Sequence, residues 1–112
     1  MNYAEYKRDT YNEMLKTVIE IIDEEGLKGK NNKHCLTNKR HYLIWFLKEN
    51  TGEPYADIGE LFEMSHSSTL QASRKHNDFM EFTSERYINN IKVIQRYLLK
   101  KFPNAINIEI NK

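Results

Sequence analysis

Six consecutive apolar residues, Tyr42-Leu43-Ile44-Trp45-Phe46-Leu47, constrain this chain more than anything else in it. The run is far short of the ~20 apolar residues that span a bilayer. It lies between Lys39-Arg40-His41 and Lys48-Glu49-Asn50, and Thr51-Gly52-Glu53-Pro54 then stops it. This pattern predicts a helix over 39–50, capped by Thr37 or Asn38 and apolar on all sides. Such a helix is stable only as the centre of a bundle, with other helices covering each face.

The rest of the chain supplies those covers. Tyr11, Met14, Leu15, Val18, Ile19 and Ile22 recur at three- and four-residue steps, which predicts an amphipathic helix over 4–25, within an N-terminal segment 1–25. Gly26 is its C-cap. Residues 26–38 form a basic loop of turn-forming residues, its ends pinned to the core by Leu27 and Leu36. A short helix follows over 55–62, with Ile58, Leu61 and Phe62 inward. Ser65 caps another over 66–77, anchored by Leu70. Ser84 caps the last, within 84–102, whose stripe is Ile88, Ile91, Ile94 or Gln95, Leu98 and Phe102. Pro103 ends it. In the tail 103–112, Ala105 to Ile110 alternate as a strand does. Three fates are open to that strand: lying along the core, pairing with another copy's tail, or staying mobile. The expected fold is one all-α domain, a helical bundle with a short strand-like C-terminal tail.

With 112 residues and 39% hydrophobic side chains, the chain is large enough for one self-sufficient core. Its single cysteine, Cys35, excludes an internal disulfide and any multi-cysteine zinc site. No signal-peptide pattern opens the sequence. The expectation is a soluble, cytoplasmic protein, monomeric or homodimeric, with no membrane partner.

Charge is more informative by segment than in total. The net charge is +1, yet residues 26–47 hold five basic side chains and no acid, and 64–77 hold two basic and no acid. Acids near a phosphate-binding face would oppose binding, so acid-free blocks suit nucleic acid. The second block coincides with residues 54–77, two short helices joined by a three-residue turn. That is the order of a helix-turn-helix, in which the second helix enters the major groove N-terminus first. His66, Ser67, Ser68 and Gln71 are able to bond base edges or phosphates. Arg74 and Lys75 lie two turns on, suited to the flanking backbone.

The run Ile58-Gly59-Glu60-Leu61-Phe62, a turn, then His66-Ser67-Ser68-Thr69-Leu70-Gln71-Ala72-Ser73-Arg74-Lys75 resembles the C-terminal DNA-binding domain of the bacterial replication initiator DnaA. Arg40-His41-Tyr42-Leu43 and Lys48-Glu49-Asn50-Thr51 resemble that family's buried helix and its end, and the likeness covers roughly 33–77. It implies base and phosphate contacts for His66, Ser67 and Ser68. It implies positions close to the backbone for Arg40 and Lys48, and it matches Arg74 and Lys75 to the pair that ends the family's recognition helix. Departures are plain: the family's Gly-Gly-Arg-Asp turn is Glu63-Met64-Ser65, one residue shorter. Its minor-groove Arg falls at Asn38 and the Pro after it at Lys39. Its second-helix Pro is Ala56. DNA binding is expected, the family's own target sequence is not.

The function expected is sequence-specific binding of double-stranded DNA, in replication initiation or transcription regulation. Lys30, Lys33 and Lys39 of the basic loop, with Arg40, would lie on phosphates or in the adjacent minor groove. No phosphate-cradling Gly-x-x-x-x-Gly-Lys-[Ser/Thr] loop is present, so neither ATPase activity nor a nucleotide cofactor is expected. The alternative is an interaction module of the same fold that modulates an initiator or another replication or transcription protein. Its working surfaces would be the acidic segment 1–25 and the tail. His34, Cys35 and His41 match no standard metal-ligand spacing, and Cys35 is read as a small buried residue. Trp45 is read as core, and Arg96, Lys100 and Lys101 as a solvated helix end. No catalytic residue is expected.

Overall fold

The computed structural model describes residues 3–29 and 33–106. Five helices follow in order: α1 (Tyr3–Glu25), α2 (His34–Thr51), α3 (Tyr55–Phe62), α4 (His66–Glu81) and α5 (Glu85–Lys101). Among the described residues there is no strand. The radius of gyration, 13.6 Å, is close to the roughly 13 Å expected of a compact domain of this length.

α2 is the axle. Every residue from Tyr42 to Leu47 is buried, Trp45 included, and α1, α3, α4 and α5 all pack against it. α1 brings Met14, Val18, Ile21 and Ile22, and α5 brings Tyr87, Ile91, Ile94 and Leu98. Leu27 is fully buried and Leu36 packs on the core, so both ends of the basic loop are tied down. Gly52 closes α2 in the left-handed conformation (φ 70°), its N–H on the Lys48 carbonyl; glycine adopts that conformation at little steric cost. Ser65 and Ser84 cap α4 and α5 as expected, accepting from the N–H groups of Ser68 and Tyr87.

Six expectations need correction, the first two being that Ile19 of α1 is exposed (40%) and that Ile88 of α5 is only half-buried, with Tyr87 in the core instead. α2 starts at His34 rather than Lys39, so Thr37 and Asn38 lie inside the helix. Its N-cap is Lys33, which makes no side-chain capping bond. Cys35, one residue into that extra turn, is exposed rather than buried. α4 runs to Glu81, a full turn past Asn77, because Phe79 and Met80 pack on the core. Its inward face is Thr69, Ala72, Ser73 and His76, whereas the expected anchor Leu70 is only half-buried. In the tail, residues 107–112 lie outside the described residues. Ile106 is held at the end of α2, where its N–H donates to Asn50 Oδ1 (2.7 Å) and its carbonyl accepts from Asn50 Nδ2 (2.9 Å).

Candidate nucleic-acid interface

α3 and α4 meet at an unusually close crossing, for which Gly59 is responsible. A Cβ there would lie 2.5 Å from Thr69 Oγ1 and 2.7 Å from the Met64 carbonyl oxygen. Thr69 is fully buried, and its hydroxyl donates to the Ser65 carbonyl (2.7 Å). Glu63 makes the turn between the helices in the left-handed region (φ 58°). The Met64 N–H then donates back to the Gly59 carbonyl (2.8 Å). Ser65 Oγ accepts from Ser68 N–H (3.1 Å) and donates to Ser68 Oγ (3.0 Å). The first turn of α4 is therefore fixed to α3 by backbone and cap together.

With Thr69, Ala72, Ser73 and His76 turned inward, helical spacing sends Ser67, Ser68, Gln71, Arg74 and Lys75 outward, and all five are exposed. His66 is exposed at one edge, its ring edge-on to Tyr55 (centroids 6.3 Å apart). Tyr55 is a hub that sequence reasoning missed. Its hydroxyl donates to Ser73 Oγ (3.3 Å), and the Lys48 ammonium lies 4.6 Å from its ring centre. Cation–π attraction of that kind holds Lys48 in place, and Lys48 also donates to the Glu53 carbonyl (3.2 Å). Asp78 follows on the outward row and Glu81 ends the helix, so the acid-free surface covers only the first three turns.

His41 lies beneath this surface. With Met64, Ser67, Ser68, Gln71 and Lys75 it lines a shallow cavity of about 340 Å³. Burial first, then the charges of Lys75 and Arg40, push its pKa down to about 4. The ring is thus neutral at neutral pH and adds no third charge beside Lys75 and Arg40. No sequence signal distinguished His41 from any other helical histidine.

The basic loop approaches the same edge. The Gly29 N–H donates to the carbonyl of Phe62, at the end of α3 (3.3 Å), which brings exposed Lys28 and half-buried Gly29 beside the turn. Lys33 is exposed at the start of α2, and Lys30 lies outside the described residues. Besides Lys48, two more of the expected phosphate-binding residues are committed to partners within the chain. Arg40 is only 6% exposed and donates to the Leu27 carbonyl and to Thr37 Oγ1, both at 3.2 Å. Lys39 pairs with Glu25 of α1 at 3.1 Å. Among the described residues no group of three or more histidine, cysteine or acidic side chains is placed to hold a metal ion. Among the described residues no helix is long and apolar enough to cross a membrane. No family model, curated protein or solved structure matches the chain.

Proposed function

We propose that the chain binds double-stranded DNA through a helix-turn-helix formed by α3 and α4, with the first three turns of α4 in the major groove. One observation carries the reading. α4 spends its inward face on packing and presents Ser67, Ser68, Gln71, Arg74 and Lys75 together, exposed, on a start made rigid by Ser65 and Gly59. Hydroxyls and an amide suit base edges, and the two cations after them suit phosphates. Lys28 and Lys33 add cations at the flank, while Arg40 and Lys39 hold the fold. The likeness to the DnaA DNA-binding domain supports the same reading and suggests replication initiation or transcription regulation as its setting. ATP hydrolysis is no part of this function.

Fluorescence anisotropy against a randomised duplex pool, titrated with salt, tests it. Three to five phosphate contacts give a log K against log [salt] slope of about −3 to −5, with an enriched motif recoverable from the pool. Gln71→Ala should relax the preference at one base position by roughly 1–3 kcal/mol, whereas Lys75→Ala should weaken all sequences alike. Absence of binding even at low salt would overturn the proposal in favour of a protein partner for the same surface.

A further inference from the structure

α1 and α5 both pack on α2 and run antiparallel, leaving a groove between them. At one end Lys101 of α5 pairs with Glu13 of α1 (3.7 Å). At the other, Glu20 and Glu24 of α1 face Val93 and Tyr97 of α5 across a cavity of about 330 Å³, with Ile21 and Ile94 along its walls. Val93 is 76% exposed and Tyr97 47%. Solvent exposure of a branched aliphatic side chain next to an aromatic one is unfavourable, and it marks a surface that gains by being covered.

The two ridges beside this apolar strip carry opposite charge. Glu13, Glu20 and Glu24 fall on one face of α1, and neither Glu20 nor Glu24 has an ion pair among the described residues. On α5, exposed Arg96 and Lys100 follow Val93 and Tyr97 by three residues each, which places them on the adjoining row. Across the surface the order is therefore acidic ridge, apolar strip, basic ridge. A two-fold axis parallel to the groove sets such a surface against a copy of itself with each acidic ridge on a basic one.

We propose that this face is a homodimer interface. Val93 and Tyr97 of each copy cover the other's groove, and Arg96 and Lys100 of each meet Glu20 and Glu24 of the other. α5, the shorter of the two helices, is about 25 Å long, and two neighbouring helices present a face about 20 Å wide. The resulting ~500 Å² per copy, ~1,000 Å² over both, lies at the lower bound of specific interfaces and suits a weak, salt-sensitive dimer. The inference stands on the α1–α5 face alone and does not depend on the DNA-binding reading.

Sedimentation equilibrium of the full chain over a hundredfold concentration range, at low and high salt, tests it. A monomer–dimer equilibrium weakened by salt is expected. Glu20→Lys with Glu24→Lys should raise the dimer Kd at least tenfold, and so should Arg96→Glu with Lys100→Glu. Combining all four restores the acid–base match, and the Kd should return to within a few-fold of the parent value. Val93→Glu should give monomers that melt at the temperature the parent shows when diluted below its dimer Kd. A parent that is monomeric throughout would overturn the proposal. So would a dimer indifferent to these changes, or a four-fold variant no tighter than its halves.

Discussion

A methyl group at position 59 has nowhere to go. Of its two nearest neighbours, the Met64 oxygen belongs to the backbone, and Thr69 Oγ1 is held by its bond to the Ser65 carbonyl. In an ordinary helix interior glycine to alanine stabilises by about 1 kcal/mol. Here overpacking reverses the sign, and Gly59→Ala should destabilise by roughly 1–3 kcal/mol in urea unfolding. The reason lies across a helix crossing, so the position looks replaceable when only neighbours in sequence are considered. Tyr55 is similar: its contacts to Ser73 and His66 of α4 and to Lys48 of α2 come from two other helices.

Helices with one apolar stripe were legible, because periodicity and caps are local signals: α1, α3 and α5 lie where the spacing put them, and Ser65 and Ser84 do the capping. α2 was legible as the central element but not at its start. Its first turn follows a Gly- and Asn-rich segment, and no side chain caps it, so the usual start signal is missing. α4 was misread for a different reason. Its inward face is built from Thr69, Ser73 and His76, polar residues that no hydrophobic pattern reveals. The exposure of Ser67, Ser68, Gln71, Arg74 and Lys75 follows from that inward face, and Arg40, expected on phosphate from the resemblance, is bonded instead to the Leu27 carbonyl, a partner thirteen residues away that no local pattern shows. A separate expectation follows at α2. Arg40→Ala removes charge-assisted bonds that tie the 26–29 segment to the helix, and should lower stability by about 1.5–3 kcal/mol. If the chain binds DNA as proposed, then at temperatures where the variant remains folded its affinity for duplex should fall far less than that of Lys75→Ala.

At the scale of the molecule, two histidines make the fold acid-sensitive. Burial, helped by His41, holds the pKa of His76 down to about 3, and His41 is held at about 4, both against an ordinary 6.5. A depressed histidine pKa means that the unfolded chain takes up protons first. The stabilisation is complete above about pH 6.5 and drains away as pH falls towards 4 and then 3. Within that window each histidine contributes up to about 1.4 kcal/mol per pH unit. Urea midpoints measured from neutral pH downward should fall accordingly, and His41→Gln should remove about half of the histidine slope between pH 6 and 4.5.

His76 also touches the chain's one tryptophan. Its ring stacks on Trp45 with centroids 4.5 Å apart, at the seam where α2 meets α4, and its Nδ1 is hydrogen-bonded to the Tyr87 hydroxyl of α5. Intrinsic emission from Trp45 is thus a label-free optical gauge built into that seam. It should dim as a neighbouring imidazolium forms in acid and shift red when the seam parts. Any ligand that rocks α4 against the axle is then visible without attaching a dye to the surface it binds.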